Sequence, residues 1–180
     1  SNGDKICMNG DGNLTVLANV DLKTVYTFRN INNVWETFAT VSTNATKYIY
    51  KNTPYFGKVI ALSRDGLTLA ISDRKTVWIY KWNSGTSAWV EQGNTCSDAN
   101  YATNNTTVAF CHNMKITDDG SKLLILSFNS VSIWTLRIYD TATGTSLVTV
   151  TDNTSAIDPS GVTGANPYYT YSTHRGLQNW

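Results

Sequence analysis

The sequence predicts an all-β chain: three four-stranded antiparallel units, then a C-terminal strand that opens an incomplete fourth. Three observations carry that reading. Thr, Asn and Ser make up one third of the 180 residues, and aromatics reach 12%, with six Trp and ten Tyr. A chain so rich in Thr, Tyr, Val and Ile favours strand over helix. Asp11-Gly12, Asp65-Gly66 and Asp119-Gly120 recur at intervals of 54 residues, as do Phe56 with Phe110 and Trp35 with Trp89. A fixed period carried by three kinds of anchor marks a repeat architecture. Finally, Asp-Gly and Asn-x-Gly sit between segments of alternating hydrophobicity, which is hairpin chemistry because Gly accepts positive φ cheaply.

The first unit, residues 1–45, contains Lys23-Thr24-Val25-Tyr26, matched by Lys75-Thr76-Val77-Trp78 after a two-residue loop difference; its opening strand reads as incomplete. The second, 46–103, is the clearest. An apolar strand over 57–63 meets the turn Arg64-Asp65-Gly66, and an alternating strand follows over 67–72. The third strand, 76–82, places Val77, Ile79 and Lys81 on one face and Trp78, Tyr80 and Trp82 on the other. Asn83-Ser84-Gly85 then turns the chain into a return strand over 88–92. The third unit, 104–155, repeats the pattern with five extra residues before Ile138-Tyr139-Asp140. In the tail, 156–180, Asn166-Pro167-Tyr168-Tyr169 parallels Thr53-Pro54-Tyr55-Phe56, the approach to a first strand.

Four-stranded meanders repeating every ~40–55 residues signal propeller blades. Tyr55-Phe56-Gly57, Ser63-Arg64-Asp65-Gly66, Val77-Trp78-Ile79-Tyr80 and Trp89 together resemble an FG-GAP-type β-propeller repeat. The resemblance covers roughly residues 5–150. It is best in the second unit; the third has Phe110-Cys111 in place of Phe-Gly and Leu147 in place of the late Trp. Integrin-like members of that family bind calcium through an Asp-rich loop between the first two strands. Here Asn9-Gly10-Asp11-Gly12, Ser63-Arg64-Asp65-Gly66 and Thr117-Asp118-Asp119-Gly120 offer too few oxygen ligands for such a cage. No metal and no cofactor is expected.

Charge excludes two classes of partner. With 14 Lys+Arg against 13 Asp+Glu and 15% charged residues, the chain lacks the concentrated positive field of a nucleic-acid or membrane-surface binder. No run approaches the ~20 apolar residues of a bilayer span. No charged start followed by an apolar stretch precedes Asp4, so a signal peptide is absent from the chain as read. Cys96 and Cys111 are expected to form a disulfide, closing a loop that the chain-entropy estimate values at roughly 3 kcal/mol; Cys7 is left over. Sequons at Asn13, Asn44, Asn104, Asn105 and Asn153 are hardly more than so Asn- and Thr-rich a chain produces by chance. Their placement is the better argument: all but Asn13 are expected between a fourth strand and the next first strand, so N-linked glycans would line one surface. A secreted or cell-surface location follows from the bridge and the sequons together.

The residues offer no catalytic constellation. His112 adjoins Cys111 on a strand, where neighbours point to opposite faces, and His174 lies with Arg175 in the tail. Asp118-Asp119 precede a Gly and read as a turn rather than as paired acids. Trp78, Tyr80, Trp82, Trp134 and Tyr139 could stack on sugar rings, though packing between twisted sheets is the commoner role of such rings. Because closed propellers use four to eight blades, three units and a stray strand must find hydrogen-bonding partners. The tail could return to the first unit, pair through Tyr168, Tyr169, Tyr171 and Trp180 with a neighbouring copy, or belong to a longer polypeptide. The expected function is a non-enzymatic extracellular structural glycoprotein that assembles with copies of itself into a filament, tube or sheet. The alternative is a lectin-like or adhesion module, a fragment of a larger propeller.

Overall fold

The computed structural model describes residues 4–38, 40–41, 48–98, 101, 109–128 and 134–152. They form three antiparallel sheets, and no helix among them is long and apolar enough to cross a membrane. The first sheet runs in order through β1 (Lys5–Met8), β2 (Leu14–Asn19), β3 (Thr24–Ile31) and β4 (Val34–Thr37). Two short pieces follow, β5 (Thr40–Val41) and β6 (Ile49–Tyr50). The second sheet is β7 (Val59–Leu62), β8 (Thr68–Ser72), β9 (Thr76–Asn83) and β10 (Ala88–Ser97), and the third is β11 (Ala109–Ile116), β12 (Lys122–Phe128), β13 (Trp134–Asp140) and β14 (Ser146–Asp152).

The registers place the 54-residue period in three dimensions. Ile6 pairs with Leu17 and Leu17 with Tyr26; in the second sheet Ile60 pairs with Ile71 and Ile71 with Trp78. In the third sheet Met114 pairs with Ile125. The five extra residues of the third unit lengthen its central hairpin: β12 and β13 continue through Leu126–Leu136, Ser127–Thr135 and Phe128–Trp134, where β8 and β9 end at Ser72–Val77.

Alternation then builds two cores, one on each side of the second sheet. Trp78 and Tyr80 of β9 join Leu69, Ile71 and Trp89 against Val16, Ala18 and Val25 of the first sheet. Val77, Ile79 and Ala70 turn the other way, against Phe110, Met114, Leu123, Ile125 and Tyr139 of the third sheet. With both faces covered, every residue of β8 is buried. Phe56, fully buried, meets Trp78 edge-on at 5.5 Å between ring centres. Its neighbour Gly57 has φ +85°, and a Cβ there would lie 2.9 Å from that of Ala18. The Phe-Gly pair thus lets the chain pass close beneath the first sheet.

Two expectations about the first unit are corrected. Its opening strand is present: β1 has four residues, as β7 does, and pairs with β2 along its length. The unit also does not end at residue 45. Ile49 and Tyr50 pair with Val25 and Thr24 of β3, completing the outer strand begun by β4. Thr40 and Val41 lie instead parallel to Ala88 and Trp89 of the second sheet. A boundary drawn from the repeat could not see this exchange, because the outer strand is interrupted in sequence and continuous in space.

Candidate functional site

The inner edge is the part of the molecule shared by all three sheets. β7 packs against both β1 and β11, so the three first strands run side by side. Each ends in the repeated turn. Gly12, Gly66 and Gly120 have φ of 71, 73 and 67°, and their N–H groups donate to the carbonyls of Asn9, Ser63 and Thr117. The side-chain oxygens of those same residues accept from the N–H of Leu14, Thr68 and Lys122, five positions on. Asp65 and Asp119 close the turn by accepting from the N–H of Leu67 and Ser121. Asp65 and Asp119 are therefore occupied in holding their hairpins, as the turn reading requires. Asp119 is pulled down to about 2 from its ordinary 3.8, first by the Thr117 hydroxyl and then by Ser121.

At the other end of the inner strands opens a cavity of about 540 Å³. Lys5, Lys58, Arg74, His112 and Asn113 supply its polar lining, and Ile6, Val59 and Phe128 part of its apolar wall. Partial burial lowers the pKa of the Lys58 amine, and the charges of Arg74 and Lys5 lower it further, with Asp21 opposing. His112 stands edge-on to Trp134 at 5.2 Å, and Phe128 lies 4.6 Å from Trp134, forming an aromatic group beside the cavity.

The expected site residues are distributed unevenly over this frame. The Cys96–Cys111 bridge is not formed: Cys7, Cys96 and Cys111 are free thiols. Cys96 comes from the outer strand β10 and Cys111 from the inner strand β11, and both are buried in the core between the second and third sheets. Burial pushes each of the three thiols up to about 12. Cys111 faces inward while His112 is exposed, so alternation separates them. Asn13 is exposed in the first turn, its Oδ1 accepting from Asn9 Nδ2 at 2.9 Å. Asn44, Asn104, Asn105 and Asn153, and Tyr168, Tyr169, Tyr171, Trp180 and His174 of the tail, lie outside the described residues. Trp78 and Tyr80 pack between sheets; Trp82 is half-buried, stacked on Phe38 at 4.3 Å. No group of three or more His, Cys, Asp or Glu among the described residues could hold a metal ion.

No protein-family model and no curated protein matches the sequence. Solved structures do match in shape. The β-propeller domain of Cps50 (Swd1) from Myceliophteria thermophila superposes with a TM-score of 0.55 at 9% identity, over 81% of this chain and 39% of that one. The three sheets are propeller blades. A candidate 6-phosphogluconolactonase from Bacteroides fragilis gives 0.51 at 22% identity, over 81% and 37%, and Hsv2 of Kluyveromyces lactis 0.50 at 18%, over 75% and 36%. The chain thus spans well under half the length of the structures it resembles, and these identities speak to fold alone. The inner strands β1, β7 and β11 are the ones that face a propeller's axis, and the missing signal in the sequence was this convergence: Lys5, Lys58, Arg74 and His112 are far apart along the chain.

Proposed function

We propose that the protein is a non-enzymatic, secreted structural glycoprotein whose three blades form an arc completed by blades of a second copy. One observation carries the reading. Ile6, Met8, Thr15, Leu17, Tyr26 and Phe28 share the outward face of the first blade, with Ile6 71% and Met8 53% exposed. By the repeat they are the counterparts of Ile60, Leu62, Leu69, Ile71, Trp78 and Tyr80, with which the second blade packs onto the first. The third blade meets the second with the same face. At the far end, Leu124, Leu126, Leu136 and Ile138, with Val148 and Val150, occupy the face that earlier blades offer to their successors. A third blade set against the first blade of another copy therefore repeats an interface the chain already makes twice. Thr15 is smaller than Leu69, and Leu124 larger than Ala70, so the exchanged volumes offset each other.

Such a contact is heterologous. Two copies closing on each other make a six-bladed ring, and a rotation that does not close makes a filament or tube. Leaving both apolar faces in water is the costly alternative, at ~25 cal/mol per Å² of apolar surface. Sedimentation velocity tests the reading: dimers or longer polymers are expected, and monodisperse monomers across the micromolar range would remove it. Glycosidase treatment of secreted material, with an expected fall in apparent mass, tests the glycoprotein part. A second reading, a lectin-like or adhesion fragment of a larger propeller, is favoured by the chain's spanning 36–39% of the matched structures. Selective hits on a glycan array, together with monomers, would support that reading instead.

A further inference from the structure

We propose that Gly12, in the turn of the first blade, is the point where a second copy seats the turn of its third blade, so that a side chain at position 12 blocks assembly. The contact presupposes the assembly described above and identifies the residue that sets its fit. Within the chain the three Asp-Gly turns nest one into the next. A Cβ on Gly66 would lie 3.1 Å from Leu14 Cδ2 and 3.3 Å from Asn9 Nδ2, both of the first blade. One on Gly120 would collide with Thr68 Oγ1 and lie 3.3 Å from Ser63 Cβ, both of the second blade. Asn9, Ser63 and Thr117 are spaced by 54 residues, and so are Leu14, Thr68 and Lys122. Each later glycine thus sits in the same notch of the blade before it. Backbone bonds tie the turns as well: the Gly10 N–H donates to the Arg64 carbonyl at 2.9 Å, and the Asp65 N–H to that of Asp118 at 3.4 Å.

The two ends of this series are uncovered, and they complement each other. Gly66 and Gly120 are buried, whereas Gly12 is exposed, and a Cβ there would meet only Met8 Sδ of its own blade, at 3.7 Å. On the receiving side Asn9 and Ser63 are buried and Thr117 is exposed; Leu14 and Thr68 are buried and Lys122 is half-buried. Gly12 therefore lacks the notch its counterparts fill, and Thr117 with Lys122 border a notch that receives no glycine among the described residues. A third blade from a second copy joins the two, continuing a contact the chain already makes twice. The φ of +71° at Gly12 favours glycine, but asparagine also adopts it. Only the close approach of another blade, as at Gly120, demands that no side chain be present. Fold and assembly are separable here, because asparagine satisfies the backbone and fills the gap.

Sedimentation velocity on the parent and its variants tests the fit, with the melting temperature and the far-UV spectrum reporting on folding. Gly12→Asn should weaken association at least tenfold and leave both folding measures unchanged. Gly93→Asn is the control: Gly93 has φ +74° with nothing within 4 Å of its Cβ position, and this variant should assemble as the parent does. Lys122→Trp fills the notch from the other side and should weaken association similarly. Mixed in equal amounts, the Gly12→Asn and Lys122→Trp chains keep one good end each and should form dimers that grow no further, which misfolded chains could not do. If the parent polymerises and Gly12→Asn polymerises equally well, the role of Gly12 is overturned while the assembly stands. Equal weakening by Gly93→Asn, or a mixture that stays monomeric, would overturn it too. A monomeric parent removes both the contact and the assembly.

Discussion

At the scale of the residue, polar side chains are set by local geometry and thiols by burial. Asp119, exposed, and Asp140, half-buried, are held near 2 against an ordinary 3.8, Asp119 chiefly by the Thr117 hydroxyl and Asp140 chiefly by Lys122. A depressed folded-state pKa contributes stability that is present above 3.8 and lost as pH falls toward 2. Chemical denaturation at a series of pH values should therefore show stability declining over that window, and Asp119→Asn should flatten part of the decline. The thiols behave oppositely. Raised to about 12, Cys7, Cys96 and Cys111 stay protonated at neutral pH and inert to alkylation in the native state. Ellman titration should find almost no fast thiol in the native protein at pH 8 and three in guanidinium. One thiol in denaturant would mean that two of the three cysteines are bridged.

At the scale of the element, equal sequence motifs need not carry equal energies. Gly93 and Gly120 both have positive φ, but a Cβ on Gly93 meets nothing within 4 Å, whereas one on Gly120 would lie 2.2 Å from Thr68 Oγ1 of the neighbouring blade. Gly93→Ala should cost about 1–2 kcal/mol, the price of left-handed backbone alone, and Gly120→Ala clearly more, as measured by urea unfolding. The two late Trp residues differ in the same way. Trp89 is fully buried between blades with its Nε1–H toward Thr27 Oγ1 at 3.4 Å, while Trp35, 54 residues earlier, is 46% exposed on the outward face. Trp89→Ala should cost about 3–5 kcal/mol. Trp35→Ala should barely change the stability of a monomer and should weaken assembly, since association would place Trp35 where Trp89 already sits. The period identifies both positions; only the presence of a covering blade distinguishes them.

At the scale of the whole molecule, a head-to-tail interface makes a sharp prediction about mixing. Ile6→Asp disables the outward face of the first blade and Leu126→Asp that of the third, and each variant should sediment as a monomer with an unchanged β-sheet spectrum. Mixed together, they retain one good face each and should form dimers that go no further. Failure of the mixture to associate, with the parent chain still polymeric, would place the contact elsewhere, for instance on the strand edges or the tail. The acid substitutions work because a carboxylate buried unpaired between sheets costs several kcal/mol.

Much of the architecture was legible from the chain of residues, because strand alternation, Asp-Gly turns and a 54-residue period are local signals set by backbone sterics and by which side of a strand meets water. They located Val77 and Ile79 on one face and Trp78 and Tyr80 on the other, and the hairpin acids as turn formers. The gathering of Lys5, Lys58 and Arg74 around one cavity, the complete first strand, the strand exchange at Thr40–Val41 and Ile49–Tyr50, and the separate thiols were decided by the tertiary structure. Each depends on contacts between segments distant along the chain, and sequence spacing carries no measure of which distant segments the packing of twisted sheets will bring together.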